Sequence, residues 1–255
     1  MSRSRIIGPV LALLPVAVIP YVSGCDVLGQ ADAPDRGSAP QGSYARGVSP
    51  LANPDGTKPG LAPLAGSAQR AAARELIAGL AVKGRGSKTG YDRDEFGSAW
   101  KDAVDGVPLA RNGCDTRNDL LRLHGGDVRF RSGSDCVVVS MTLYDPYTGM
   151  TIEWRKQKAA EVQIDHVVPL SYSWQMGSSR WPESKRERFA NDALNLIPVQ
   201  GRANSAKGDS GPASWLPPNK QIRCAYAVRF AQVAVKYEMP VTGSDRAAML
   251  RECAG

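Results

Sequence analysis

The sequence predicts an α+β domain built on a two-stranded hairpin and a helix, with further helices around it and a small additional sheet. Three observations carry this. Between Val162 and Asp209, two short apolar runs, Val162-Gln163-Ile164 and Leu194–Val199, precede Arg202–Lys207, where Ala203 and Ala206 favour a helix. Val137–Leu143 (VVVSMTL) reads as a strand, Asp145–Gly149 (DPYTG) as a turn, and Ile152–Trp154 as the returning strand. Helical patterning recurs over residues 67–82, after Pro182, over Gln221–Tyr237 and from Ser244 to near Cys253.

Taken in order, residues 1–24 form a targeting segment. Arg3 and Arg5 supply its charged start, and Ile6–Val22 its apolar run, which Pro9, Pro15 and Pro20 interrupt too often for a permanent membrane-spanning helix. It closes on Val22-Ser23-Gly24-Cys25, which resembles a bacterial lipoprotein box and implies cleavage before Cys25 and lipid on its thiol. An ordinary secretory cleavage is the alternative. Either way the chain is exported, which removes cytosolic nucleic acid from its substrates. The formal charge of the chain is +7, and loss of the two arginines of the leader makes it +5, a balance that favours anionic partners.

Residues 25–67 read as a disordered tether. Pro34, Pro40, Pro50, Pro54, Pro59 and Pro63 alternate with glycines, a composition that buries too little apolar area to offset ordering entropy. As a flexible coil it would span roughly 35 Å, and the folded domain would occupy residues 68–255. Ser67 is the expected cap of the first helix, whose apolar face carries Leu76, Ile77 and Leu80. Lys83, Arg85 and Lys88 follow in a Gly-rich loop, solvated or tracking a phosphate backbone. In GYDRDEFGSAW, Tyr91, Phe96 and Trp100 read as core, and Arg93 as a salt-bridge partner ahead of a substrate contact.

Setting Cys25 aside leaves Cys114, Cys136, Cys224 and Cys253, an even number in an exported chain. They allow three pairings, of which the local one, Cys114–Cys136 with Cys224–Cys253, is favoured. A zinc site is a poor fit, since no C-x-x-C pair occurs and the chain has only two histidines. His124, beside Gly125-Gly126, reads as a loop residue. Lys185, Arg186 and Arg188 read as a solvated face or one turned to phosphate. Val228, Ala231 and Val235 give the Gln221–Tyr237 helix a packing face, and Ser244 caps the last helix.

The chemistry concentrates in Val162–Asp209. Asp165 and His166 close the first apolar run and would face opposite ways in a regular strand, so they share a site only if the strand ends or bends, as nearby Pro169 suggests. Asn204 and Lys207 stand three apart and share a helix face. This ordered set, DHVVPL, then Asn195, then Asn204 with Lys207, resembles the HNH (ββα-metal) nucleases, with Asn in place of the last His. GYDRDEFGSAW, NGCDTRNDLL, DPYTG and the WLPP-to-Cys224 tail resemble the secreted branch related to the C-terminal domain of GmrSD-type restriction enzymes, and the likeness spans roughly residues 85–253.

The resemblance implies an HNH core and a metal-dependent endonuclease acting on nucleic acid, DNA ahead of RNA; no obligate protein partner is implied. His166 is then the general base, Asn195 braces the loop that carries it, Asp165 and Asn204 hold a divalent metal, and Lys207 contacts phosphate. Oxygen ligands alone favour Mg²⁺, with Mn²⁺ able to substitute. Two other readings stand beside it. Gly208-Asp209-Ser210-Gly211-Pro212 resembles a serine-protease nucleophile segment, but the flanks and the many strands of that fold are missing. The other is a non-catalytic lipoprotein that binds nucleic acid or envelope polymer on the same scaffold.

Overall fold

The computed structural model describes residues 47–254, all within the unit Gln41–Gly255; the expected leader, Cys25 and the first part of the tether lie outside the described residues. The tether does not reach residue 67. Leu61 and Leu64 are buried, the Val48 amide donates to the Pro59 carbonyl at 2.9 Å, and the Gly60 amide donates to His124 Nδ1 at 2.9 Å. The prolines and glycines serve turns here rather than disorder. Gly47 (φ +76°) crosses Gly60 so closely that a Cβ would sit 2.3 Å from the Gly60 Cα, which only glycine permits.

Helix α1 (Ser67–Ala78) buries Ala73 and Ile77, but Gly66 rather than Ser67 is its cap, and it stops before Gly79 instead of running to Val82. Helix α2 (Thr116–His124), capped by Asp115, and strand β1 (Gly126–Phe130) were not expected from periodicity. His124 therefore ends a helix instead of lying in a loop. Strands β2 (Val138–Tyr144) and β3 (Thr151–Arg155) flank the DPYTG turn as the sequence predicts, and β1, β2 and β3 form an antiparallel sheet in that order.

The second sheet is the hairpin-like pair β4 (Val162–His166) and β5 (Leu196–Gln200), antiparallel with Asp165 opposite Ile197 and His166 opposite Leu196. Helix α5 (Gly201–Lys207) follows β5 directly, so the strand, strand, helix order is observed. Between the strands run α3 (Leu170–Met176) and α4 (Glu183–Asn191), the latter capped at Pro182. Helix α6 (Arg223–Lys236) is the axis of the larger core, although Val235 is 51% exposed and does not pack inward as its spacing suggests. Helix α7 (Gly243–Glu252) is capped by Thr242, whose Oγ1 accepts from the Asp245 amide, and not by Ser244.

Two apolar clusters hold these layers. The larger joins α1, α3 and α6 to residues on one side of β5, including Ile197 and Val199. The smaller packs α2 and the three-stranded sheet against Val162, Ile164 and Leu196. The pair β4–β5 is thus buried on both faces, which suits its β-branched composition. Both disulfides form in the local pairing: Cys114–Cys136 ties the entry of α2 to that of β2, and Cys224–Cys253 ties α6 to the end of α7.

Candidate active site

Strand β4 ends at His166. Its last partner bond runs from the Val167 amide to the Asn195 carbonyl at 2.8 Å, and Pro169 then caps α3. Because the strand stops there, Asp165 and His166 line one cleft despite their alternation. The cleft, of about 500 Å³, is also lined by Asn204, Asp209, Lys88 and Arg93.

His166 is 8% exposed, and its Nε2 lies 2.9 Å from the Ala190 carbonyl. A carbonyl only accepts, so Nε2 carries the proton, and in the neutral ring Nδ1 is left as the basic atom. Burial pushes the imidazole down to about 3, against the smaller upward pull of the Ala190 carbonyl, so the ring is neutral near pH 7. Trp100 stacks on it, with ring centroids 6.0 Å apart and planes 14° off parallel. Trp100 is accordingly half-buried beside the site rather than a core residue like Phe96.

Asn195, fully buried, takes the position expected for a brace. Its Oδ1 accepts from the Val168 amide at 2.8 Å, and its Nδ2 donates to the carbonyls of Val168 and Phe189, each at 3.3 Å. One side chain thus clamps the segment after His166 to the segment before Ala190, whose carbonyl orients the imidazole.

Lys207 is not where a phosphate contact would be. It is 1% exposed, and its Nζ donates to Asp165 Oδ1 at 2.8 Å and to the His166 carbonyl at 2.7 Å. Helix α5 points this face inward, under β4, so the ammonium is a buried counter-ion. Asp165 Oδ2 accepts from the Tyr147 hydroxyl at 2.5 Å. Burial raises the Asp165 carboxyl and lowers the Lys207 ammonium, while their mutual attraction opposes both shifts. Tyr147 reaches this point because Asp145, fully buried, caps the DPYTG turn through the amides of Tyr147 and Thr148 and also accepts from the Gln200 amide.

Asn204 Nδ2 donates to Gln163 Oε1 at 2.8 Å, which orients the amide, and among the described residues its Oδ1 accepts nothing. Asp209 is held by Lys88 at 2.8 Å and by the Ser171 hydroxyl at 3.0 Å, and the Lys88 hydrogen bond keeps its carboxyl below the usual range. Arg93 makes no ion pair among the described residues and lines the cleft, contrary to the salt-bridge expectation. Its turn is held instead by Arg186, which donates to the Glu95 carbonyl and pairs with the Glu95 carboxylate at 2.9 Å; Arg186 is therefore a structural clamp.

No group of three or more His, Cys, Asp or Glu side chains gathers as a metal site among the described residues. The oxygen donors that line this cleft belong to Asp165, Asn204 and Asp209, and the two carboxylates already accept bonds from Lys207 and Tyr147 and from Lys88 and Ser171. Ser210 does not line the cleft. Its amide donates to the Lys207 carbonyl, and Gly211 passes against the Asp245 carboxylate, so the GDSGP run is a turn with no histidine attached. Tyr147 is the functional-site neighbour that pattern reading passed over, since DPYTG signals only a turn.

A family model described as the C-terminal domain of GmrSD restriction endonucleases matches residues 115–252. An uncharacterized secreted protein of Arthroderma benhamiae is 39% identical over 186 residues, which cover 71% of this chain and 84% of that protein. No solved structure matches.

Proposed function

The chain belongs to the family of GmrSD restriction endonuclease C-terminal domains, and on that premise we propose that it is a metal-dependent endonuclease of the HNH type, hydrolysing phosphodiester bonds of nucleic acid outside the cytoplasm. The observation that carries this reading is the Nε2–H bond from His166 to the Ala190 carbonyl, in a cleft shared with Asp165 and Asn204. That bond leaves Nδ1 as a neutral base able to take the proton of an attacking water. Asn195 keeps the imidazole and its carbonyl partner in register. Asp165 and Asn204 are the residues that would hold a divalent cation, Mg²⁺ with Mn²⁺ as substitute. When bound, it would neutralise charge at the phosphate and stabilise the departing 3′-oxygen. Lys207 and Tyr147 fix the Asp165 carboxylate from behind, and Arg93, which has no ion pair among the described residues, brings positive charge to the cleft.

Export is supported by the leader and by the secreted relative. We read Val22–Cys25 as a lipid-attachment site; a fatty-acid probe that labels the protein but not Cys25→Ala tests it. One observation favours the non-catalytic alternative: both Asp165 oxygens already accept bonds, and an ammonium beside the carboxylate opposes a second cation. Purified protein incubated with plasmid, linear DNA and RNA, with Mg²⁺ or with EDTA, separates the two. Cleavage that EDTA abolishes supports the nuclease, and binding without cleavage under every divalent metal supports the scaffold.

A further inference from the structure

Trp100 also lines a second cavity, of about 370 Å³, between α2, β2, β3 and the residues that follow β3. Trp154, Arg117, Val138, Lys156 and Ala159 share its wall, and its size lies within the range of small-ligand sites. Two indoles make much of that wall apolar and flat. Trp154 is 2% exposed, yet its Nε1–H finds no acceptor among the described residues, an uncompensated buried donor. Arg117 is held by one bond to the Val162 carbonyl, and Lys156 makes no ion pair among the described residues.

The wall holds one carboxylate and one side-chain amide oxygen, each already engaged locally. Asp115 accepts from the amide and side chain of Asn118, and Asn118 Oδ1 accepts from the Val138 amide. Arg117 and Lys156 add donors beside the aromatic platform. The platform is fixed: Trp100 holds a φ of +58°, rare for a bulky side chain, and its carbonyl accepts from the Thr116 amide. His166 stacks on the same indole without lining this cavity, so Trp100 is the contact between an occupant and the candidate catalytic base.

We propose that this cavity is a subsite for one unpaired nucleobase of the substrate strand, stacked on Trp100 and accepting hydrogen bonds from Arg117 and Lys156. Its ligand class rests on the nuclease reading. Every base offers a flat face and at least one acceptor, so the subsite is tolerant of sequence and requires the base to be out of a duplex. The cleft then acts on the phosphate neighbouring the captured base.

The test compares binding of a thymidine pentanucleotide with that of a five-residue abasic strand, in EDTA, by the full protein and by Ala159→Leu, Ala159→Phe and Trp100→Leu. Ala159 lies exposed on a short turn, so filling the cavity from there spares the fold. Wild type should prefer the strand with bases, and each variant should shrink that preference by roughly 5- to 150-fold, the equivalent of about 1–3 kcal/mol of base stacking. The abasic strand should bind all four proteins within about twofold. A preference unchanged in the Ala159 variants, or an equal loss for both strands, overturns the subsite. Mg²⁺-dependent cleavage measured alongside keeps the readings apart: cleavage with an unchanged preference refutes the subsite alone, and a cavity-dependent preference without cleavage refutes the hydrolase alone.

Discussion

Replacing Lys207 with Met should destabilise the fold rather than merely weaken substrate binding. The Lys207 side chain is 0% exposed and that of Asp165 is 6% exposed, and its ammonium is the partner of both Asp165 Oδ1 and the His166 carbonyl. Removing one member of a buried pair typically costs about 3–5 kcal/mol, because the other charge is left without compensation. At about 2–4 °C per kcal/mol for a domain of this size, Tm should fall by roughly 6–20 °C. The loss should depend on pH. Without the ammonium, burial acts on Asp165 against the Tyr147 hydrogen bond only, so its folded-state carboxyl titrates above the unfolded value; stability is then greatest at low pH and declines as pH rises through that range. Asp165→Asn combined with Lys207→Met should cost less than the two separate losses together, by about 0.5–3 kcal/mol. Urea unfolding followed by circular dichroism at pH 5 and pH 7 reads all of this. If Lys207→Met keeps its Tm within about 2 °C while DNA affinity and its salt dependence both drop, the ammonium faces phosphate and the buried-pair account is wrong.

His124 should make the protein acid-sensitive. Burial pushes its imidazole down to about 3 in the fold, whereas the unfolded chain protonates near 6.5, so stability falls as pH drops between those values, by about 2 kcal/mol at pH 5; His124→Gln should remove that part of the slope in urea midpoints. Breaking Cys224–Cys253, whose cysteines are both buried, should cost about 2–5 kcal/mol, and an unfolding midpoint of Cys253→Ala matching wild type would contradict it. Ser210→Ala should leave nucleic-acid cleavage unchanged, since Ser210 does not line the cleft; a loss of cleavage with the fold intact would reopen the nucleophile reading. Asn195→Ala strips three bonds from the His166 frame and should lower kcat more than KM while reducing Tm; a change in KM alone would place Asn195 in binding.

Where side-chain pattern and backbone chemistry agree, the fold was legible. VVVSMTL, DPYTG and the returning strand appear as read, because β-branched runs and a turn signal reinforce each other. Asp165, His166 and Asn204, which the sequence groups together, line one cleft, and Asn195 bonds to the segment behind it. The direction of Lys207 was not, because a helix of seven residues has no face until its neighbours are known. Residues 47–66 were misread since proline and glycine density outweighed Leu61 and Leu64, whose burial depends on distant partners. Helix α2 was passed over because its charged face dilutes a short apolar one, Leu120 and Leu121. Tyr147 and Trp100 could be assigned to the site only in three dimensions, each reaching it from a separate stretch of chain.

His166 is the general base that we propose for phosphodiester hydrolysis. Single-turnover cleavage of a labelled DNA strand by wild type and His166→Ala, at saturating Mg²⁺ and with binding measured in parallel, tests it most directly. The His166→Ala rate should fall by about 10²–10⁴-fold with strand affinity and circular dichroism essentially unchanged. Equal rates in the two proteins, or no cleavage by wild type with Mg²⁺, Mn²⁺ or Zn²⁺ while it still binds DNA, would contradict it.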